Sequence, residues 1–184
     1  MKVIVAVDLN WGIGYRGNLL QRIPEDMKCF KQMTLGKVVI MGRETFESLP
    51  GKEPLKDRIN IVLSKNQDFN KKEVTICRSL KELFNELEKY DPEDVFVIGG
   101  ESVYSQLLTY CTEAYVTKIE NQYVADKYFI DIDKIKAWKL ISTSNQQTHE
   151  TINYKFAKYV KIKGVSRLNK LRESEIRVPI VDED

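Results

Sequence analysis

The sequence predicts an α/β fold: a three-layer sandwich with a central, mainly parallel eight-stranded sheet and an antiparallel hairpin near the C terminus. Short, continuous apolar runs alternate with helical patterns in the first two thirds of the chain. Such runs are typical of strands buried on both faces of a parallel sheet. Two later segments are longer, carry polar interruptions and have no helical pattern between them, which favours an antiparallel pair.

The elements follow from these patterns in chain order. We expect buried strands at residues 3–7, 38–41, 59–63 and 95–98, and longer strands at residues 113–120, 138–144 and 153–162. Between the first strands we expect helices at residues 24–33, 43–49, 80–88 and 102–108. In the third helix, Leu80, Leu83, Phe84 and Leu87 repeat at helical spacing, so this stripe predicts core packing.

Length and charge predict one domain and exclude some partners. The 184 residues fit a single domain, expected at residues 1–163, followed by an extension at residues 164–184. Val165, Leu168 and Leu171 could line one side of a short helix there, and a solvated extension is the expectation. The formal net charge of +2 gives no basic field of the kind that attracts nucleic acid.

Other features predict a cytoplasmic protein without a metal site, and we expect it to be a monomer. The first apolar run is cut by Asp8, which makes it too short for a signal peptide, and no later run could span a membrane. The three cysteines, Cys29, Cys77 and Cys111, are odd in number and widely spaced, which fits neither a disulfide framework nor a metal site. His149 is the single histidine, and we expect it on the surface or on a strand face.

The first predicted helix carries an acidic residue on an otherwise apolar face. Pro24 suits the first helical position, and Asp26, Met27, Phe30 and Met33 then share one face. A carboxylate that faces a core costs several kcal/mol unless it is paired. The sequence therefore predicts either a protein partner opposite Asp26 or a site for a cationic or amide-like ligand.

The neighbours of Asp26 support its inward orientation. A solvated carboxylate favoured by the helix dipole is the simpler explanation of an acid in a first turn, and Glu25 fits it better. Lys28 and Cys29 are expected to point away from the side shared by Asp26 and Phe30. Asp26 would then be the ionisable group of the pocket.

Three predicted strands end in residues that suit a phosphate. Gly99 and Gly100 end one strand and open a helix, Gly42 and Arg43 do the same at another, and Ser64 and Lys65 follow a third. Backbone N–H groups at a helix start and a bidentate arginine both bind phosphate oxygens. A tight turn explains the glycines alone and solvation explains each cation alone, but ligands of open α/β sheets bind at these strand ends.

The segment from Gly12 to Gly17 has the literal pattern G-x-G-x-x-G after a strand. A dinucleotide-binding fingerprint runs directly into a helix, whereas here six residues intervene between Gly17 and Pro24. We therefore interpret the segment as a mobile, glycine-bearing loop that covers a site.

Taken together, the motifs resemble the dihydrofolate reductase family, in a bacterial form, over about residues 1–162. Their order and spacing carry the resemblance, since each alone is only suggestive. The matching segments are Ile13-Gly14, Ile23-Pro24-Glu25-Asp26-Met27-Lys28-Cys29-Phe30, Val39-Ile40-Met41-Gly42-Arg43-Glu44-Thr45-Phe46-Glu47-Ser48-Leu49-Pro50, Arg58-Ile59-Asn60-Ile61-Val62-Leu63-Ser64 and Ile98-Gly99-Gly100-Glu101-Ser102-Val103-Tyr104.

The resemblance implies an activity and a substrate site. Hydride would pass from NADPH to C6 of 7,8-dihydrofolate and a proton would reach N5, and the tetrahydrofolate would serve one-carbon metabolism and thymidylate, purine and amino-acid synthesis. Asp26 matches the acid that binds the pterin, and Thr117 the hydroxyl beside it. Arg58 matches the residue that holds the glutamate α-carboxylate. The other substrate-binding positions are Val5, Ala6, Met27, Phe30, Leu49, Ile98 and Tyr104.

The resemblance also implies an NADPH site. Arg43, Ser64 and Lys65 match the site of the adenosine 2′-phosphate, with Arg78 assisting, and the peptide between Gly99 and Gly100 is cis in the family. The remaining cofactor-binding positions are Ala6, Ile13, Gly14, Asn18, Leu19, Gly42, Glu44, Thr45, Leu63, Glu101, Ser102, Val103 and Tyr104.

One position departs from the family pattern, and two alternatives stay open. Many members carry a tryptophan in the active-site loop where this chain has Gln21, preceded by Leu20 rather than proline, and Trp11 does not align with it. A pyrimidine reductase of riboflavin synthesis and a non-enzymatic nucleotide-binding module are the alternatives. Neither explains why Asp26, Phe30 and Arg58 occur together.

Overall fold

The computed structural model describes residues 1–162. The short helix expected around residues 165–171 and the rest of the extension lie outside the described residues. The strands are β1 (Lys2–Val7), β2 (Gly12–Tyr15), β3 (Asn18–Leu19), β4 (Val38–Gly42), β5 (Ile59–Leu63), β6 (Val74–Cys77), β7 (Val95–Gly99), β8 (Glu113–Ile119), β9 (Lys127–Tyr128), β10 (Trp138–Thr143), β11 (Gln147–His149) and β12 (Ile152–Lys161). The α-helices are α1 (Pro24–Thr34), α2 (Arg43–Glu47), α3 (Leu80–Leu87) and α4 (Glu101–Leu107).

The main sheet has the order β10-β12-β8-β1-β7-β4-β5-β6. The pairs from β8 through β6 are parallel, whereas β12 pairs antiparallel with both β8 and β10. The predicted fold class is therefore confirmed, with eight strands in a row and the short β11 paired to β12 as a ninth. The edge strand β6 was not predicted, because only half of its residues are strongly apolar.

The helices cover both faces of the sheet, as a sandwich requires. On one face, side chains of α3 and α4 such as Leu83 and Leu107 pack against Val3 and Ile40. On the other face, Phe46 of α2 packs against Val39, Met41, Val62 and Phe96 with Met33 of α1 beside them. All of these except Met33 are nearly or fully buried.

A second, three-stranded sheet stands at the glycine-rich segment, in the order β3-β2-β9. Gly14 pairs with Leu19 in β3 and with Lys127 in β9. The expectation of a loop at this position is wrong, since the segment forms a hairpin supported by a distant strand. Two- and four-residue strands give too short a pattern for sequence reasoning to detect.

Parallel pairing brings the predicted phosphate motifs to one edge of the main sheet. Gly42 at the end of β4 lies in register with Leu63 at the end of β5, and Met41 with Gly99 at the end of β7. Helices α2 and α4 both begin at this edge, at Arg43 and Glu101. Within residues 1–162, no helix has the length and apolar character that crossing a membrane requires.

Candidate active site

Asp26 lies in the first turn of α1, and its side chain reaches Thr117 of β8. Its side chain is half-buried, and Oδ1 accepts a hydrogen bond of 2.5 Å from the hydroxyl of Thr117, a buried residue of β8. Burial raises the pKa of Asp26 above its ordinary value, and the hydrogen bond from Thr117 opposes that rise. Within residues 1–162, no lysine or arginine forms an ion pair with this carboxylate.

The start of α1 explains how Asp26 comes to face inward. Pro24 occupies the first turn, and Ile23 before it is 1% exposed in a small core with Ile119 and Tyr154. This anchor fixes the rotation of the helix, so Glu25 points to solvent and Asp26 toward β8. The Nδ1 atom of His149, on β11 as expected for a strand-face histidine, lies 3.9 Å from Glu25 Oε2.

The residues predicted to form the apolar walls of the substrate site differ in how far they are buried. Leu49 and Ile98 are half-buried against the core between α1, α2 and the sheet, and Phe30 is half-buried on α1. Met27 is 43% exposed, so it is less buried than Phe30 and Met33, and its role as a wall of the substrate site stays a prediction. It lies about 100° round the helix from Asp26, on the flank of the apolar face.

Arg58 stands next to Phe30 at the outer end of this wall. Its guanidinium carbon is 5.8 Å from the Phe30 ring centroid, and its Nε donates a 2.8 Å hydrogen bond to Thr34 Oγ1. These contacts hold the cation at a fixed place near α1, as the predicted role requires. A salt bridge to Arg58 is absent from the part of the chain that the structure describes.

The expectation for Cys29 is wrong. Lys28 is exposed, as predicted, but Cys29 lies on the same side as Asp26 and Met33, with its Sγ 3.8 Å from Met33 Sδ. Positions 26, 29 and 33 are three and four residues apart and therefore share a helix face. They line a recess of about 240 Å³ with Ile4, Tyr115, Val116, Thr117, Ser142, Thr143, Ser144, Phe156, Ala157 and Lys158.

The glycine pair brings bare backbone against α4. The Gly99–Gly100 peptide bond is cis, and Gly99 has φ of 120°, a region open to glycine. A Cβ at Gly99 would lie 3.1 Å from the ring of Tyr104, and one at Gly100 would lie 3.1 Å from Thr45 Oγ1. Tyr104 is held in turn, since its hydroxyl donates to the carbonyl of Ile4 at 2.8 Å. Both glycines are therefore packed closely against neighbouring side chains, and a larger residue at either position would crowd them.

Two of the three cations of the predicted phosphate site, Arg43 and Arg78, already have partners within the chain. Arg43 donates to Glu47 Oε2 at 2.7 Å, one turn along α2. Arg78 donates to four backbone carbonyls of the segment after β5, at Ser64, Asn66, Gln67 and Phe69. Its guanidinium therefore organises that segment, and Lys65 is exposed beside the buried Ser64.

The remaining cofactor positions follow the same edge and the small sheet. Ile13 and Gly14 lie on β2, and Asn18 and Leu19 on β3. Glu44 and Thr45 open α2, and Ser102 and Val103 open α4. The structure thus brings the nucleotide positions to one sheet edge, while the small sheet is separate from the main one.

Two acids that the sequence reasoning missed tie the small sheet to the rest of the chain. Asp8 is 4% exposed and accepts from the backbone N–H groups of Asn10, Gly12 and Tyr123. Asp126 accepts from the N–H of Arg16 at 2.9 Å. An aspartate directly after a strand and before a glycine is a turn signal that could have pointed to Asp8. The contact of Asp126 spans 110 residues of chain, so no local signal marks it.

Comparisons with known proteins match this geometry. The dihydrofolate reductase family model matches residues 1–161. The chain belongs to the dihydrofolate reductase family. The Bacillus subtilis dihydrofolate reductase is 38% identical over 161 residues, covering 86% of this chain and 92% of the relative. The Schistosoma mansoni enzyme is 37% identical over 176 residues, covering 86% and 95%.

A solved structure supports both the fold and the family. The dihydrofolate reductase from Enterococcus faecalis, complexed with NADP(H) and RAB-propyl, gives a TM-score of 0.78 at 30% identity and covers 88% of this chain and 96% of that one. The resemblance seen in the sequence is thereby confirmed, and so is the predicted oxidoreductase class. The pyrimidine reductase and the non-enzymatic module are not favoured.

Proposed function

We propose that the protein reduces 7,8-dihydrofolate to 5,6,7,8-tetrahydrofolate with NADPH, and that Asp26 is its catalytic carboxylate. The observation that carries the proposal is the half-buried Asp26 carboxylate, hydrogen-bonded by Thr117 and without a cationic partner among residues 1–162. A buried charge that the protein leaves unpaired requires a ligand with donors. The 2-amino group and N3 of a pterin supply such donors.

The surrounding side chains orient the substrate. Phe30, Leu49 and Ile98 offer apolar contacts to the pterin and benzoyl rings, with Met27 at the flank and the backbone of Val5 and Ala6 at the inner end. Arg58, fixed by Phe30 and Thr34, is placed to hold the glutamate α-carboxylate. These two charges, one negative and one positive, set the direction in which the substrate lies.

The cofactor positions fit NADPH, which supplies the hydride when bound. The Gly99–Gly100 backbone, where a Cβ would crowd Tyr104 and Thr45, lies at the start of α4, whose first backbone N–H groups would bind phosphate oxygens. Arg43, Ser64 and Lys65 would bind the 2′-phosphate, and the bonds of Arg78 to the segment that carries Ser64 support this assignment. Ile13, Gly14, Asn18 and Leu19 of the small sheet would cover the nicotinamide.

The proton at N5 needs a separate source. Asp26 is bonded to Thr117 and would bind the amino end of the pterin, so it orients and polarises the ring rather than handing its proton directly to N5. A water admitted beside the small sheet delivers that proton. Gln21, whose side chain is 3.4 Å from the Tyr123 hydroxyl, stands where many relatives have a tryptophan, and we propose no indole-mediated water contact here.

The finer expectations are part of the same proposal. We propose a catalytic domain at residues 1–163 and an extension at residues 164–184, acting as a cytoplasmic monomer without nucleic acid. The net charge of +2 and the balance of charged residues support the last point.

Substrate panels test the proposed function. Purified protein is mixed with NADPH, and the absorbance of reduced nicotinamide is followed with dihydrofolate, with a ribosylamino-pyrimidine and with neither. We expect turnover with dihydrofolate alone. Turnover with the pyrimidine would favour the riboflavin reductase, and binding of NADPH without turnover would favour the nucleotide-binding module.

A further inference from the structure

The recess beside Asp26 is separate from the proposed substrate walls. Its lining includes Cys29 and Met33 from α1, Tyr115 from β8 and Thr143 from β10. None of the wall residues Met27, Phe30, Leu49 and Ile98 contributes to it. The recess and the substrate site share Asp26 and Thr117, so they meet at the carboxylate.

Helical geometry places the two spaces on opposite flanks of Asp26. With about 100° per residue, Phe30 lies about 40° to one side of Asp26 and Cys29 about 60° to the other. Met33 lies close to Asp26 itself, one turn beyond Cys29. A substrate bound along Phe30 therefore covers one flank, and the flank of Cys29 stays open.

The carboxylate has capacity left for water. Asp26 Oδ1 accepts from Thr117, and the described residues supply no donor to Oδ2. No side-chain nitrogen or oxygen of the described residues is both fully buried and without a hydrogen bond, so Oδ2 faces open space. An ionised carboxylate accepts about four hydrogen bonds, and this one receives a single bond from the protein.

The recess is large enough to hold water, and its mostly apolar lining carries a few polar groups beside Asp26. A water takes about 30 Å³ in the liquid and needs two to four polar partners, against a recess of about 240 Å³. The partners on offer are Asp26 and the hydroxyls of Ser142, Thr143 and Tyr115. Ser142 and Thr143 are exposed on β10, so the recess opens to solvent there.

We propose that water in this recess hydrates Asp26 from the flank of Cys29, and that Cys29, by its small size, is a positioning residue that keeps this water in place. The inference rests on the proposed function only for its catalytic meaning. With the substrate over the flank of Phe30, recess water would be the remaining solvent of the carboxylate. It would keep Asp26 ionised, the form that accepts both pterin donors.

The other charged and titratable groups around Asp26 do not offer an alternative partner. Cys29 on α1, Tyr104 on α4 and Tyr154 on β12 interact with it electrostatically, and each has a pKa raised by burial and then by negative charge nearby. Lys158, another residue of the recess lining, is paired with Glu113 at 3.0 Å. Tyr115 donates its hydroxyl to the same carboxylate at 2.7 Å.

Filling the recess tests the inference without substrate or cofactor. The full chain, unliganded, is labelled with carbon-13 aspartate, and the Asp26 carboxyl is assigned by its loss in Asp26→Asn and titrated by NMR. Cys29→Leu fills the recess from α1, and Thr143→Leu narrows it from the exposed strand β10. Cys29→Ser keeps the volume and is the matched control.

We expect the midpoint of the Asp26 titration to move to higher pH in both leucine variants and to stay unchanged in Cys29→Ser. The acid limb of kcat/KM for dihydrofolate should move the same way. An unmoved Asp26 midpoint in folded Cys29→Leu and Thr143→Leu would overturn the inference. If Cys29→Leu does not fold, Thr143→Leu alone decides it. A wild-type chain that does not reduce dihydrofolate overturns the proposed function instead, since the titration needs no turnover.

Discussion

The two halves of the proposed site treat their charges in opposite ways. On the substrate side, Asp26 has a hydroxyl partner and no cation, and burial raises its pKa. On the nucleotide side, Arg43 is paired with Glu47, and Arg78 is bonded to carbonyls of its own chain. Asp26 can bind its ligand without giving up a charged partner. Arg43, in contrast, must give up Glu47 in order to bind a phosphate of the ligand.

This difference indicates how much free energy each half of the site gains when its ligand binds. A half-buried carboxylate without a cation destabilises the free protein and is relieved by a ligand with donors. A half-exposed arginine that leaves a carboxylate for a phosphate gains only the difference between the two pairs. We therefore expect changes at Asp26 to affect turnover and changes at Arg43 to affect cofactor affinity.

Replacing Asp26 with asparagine is expected to have the largest effect. The amide still accepts from Thr117 but carries no charge to bind the donors of the pterin, so kcat/KM should fall by roughly a hundredfold or more at neutral pH. The loss should be smaller in acid, where the substrate arrives already protonated. Glu25→Gln, on the exposed neighbour, is the matched control, and an equal loss at every pH would argue against the ionised carboxylate.

The same variant should change how stability depends on pH. Because burial raises the pKa of Asp26 in the folded protein, the folded state holds this proton more tightly than the unfolded state. Wild-type stability should then fall as the pH rises from the unfolded pKa through the folded pKa, and that fall should be missing in Asp26→Asn. Thermal unfolding across that range measures it, and identical profiles would contradict a raised pKa.

Arg43→Gln, on the nucleotide side, should change the affinity for the cofactor and leave turnover nearly unchanged. A charge-assisted bond to phosphate is worth about 1.5–3 kcal/mol, so KM for NADPH should rise roughly tenfold or more while KM for NADH and kcat stay nearly unchanged. Steady-state kinetics with both cofactors measures the ratio. Lys139→Gln, an exposed residue of β10, is the control. An equal rise for NADH would mean that Arg43 does not contact the 2′-phosphate.

Thr117→Val should give a smaller effect, again on the substrate side. The hydrogen bond from Thr117 lowers the pKa of Asp26, so its loss raises that pKa further and moves the acid limb of kcat/KM to higher pH. The pH profile measures the shift, with Thr109→Val as the exposed control. A profile that falls in height without moving along the pH axis would assign Thr117 a packing role only.

The substrate side was the more predictable half, and the reason is local. Asp26 and Phe30 are one helical turn apart, so spacing alone places them together, and Pro24 sets where that helix begins. The same spacing was misapplied to Cys29, which lies on the opposite flank of the same face. The alternation of apolar runs likewise located β4, β5 and β7 within one residue of their bounds.

The nucleotide side depends on contacts that no local pattern shows. Arg43, Ser64 and Gly99 lie at the same edge of the sheet because their strands pair in parallel, and this is where the strand-end rule predicts them. The bonds of Arg78 to the segment after β5 arise from tertiary packing between β5 and β6. The sequence marks Arg78 as a cation near the site, but its partners exist only once β6 has paired with β5.

Glu47→Gln should give the smallest change and the most direct test of partner exchange. Arg43 and Glu47 form a half-exposed pair four residues apart on α2, of the kind worth about 0.3–0.5 kcal/mol. Without this competitor, NADPH should bind about twofold more tightly, whereas NADH should be unaffected and thermal stability should fall slightly. Fluorescence titration of both cofactors measures this. The control is Glu53→Gln, an exposed acid after α2 without an ion pair in the described part of the chain, which separates partner exchange from a general change in charge. Equal gains in NADPH affinity in the two variants would show that Glu47 acts only through its negative charge and not as a partner of Arg43. The two halves of the site would then differ less than their contacts indicate.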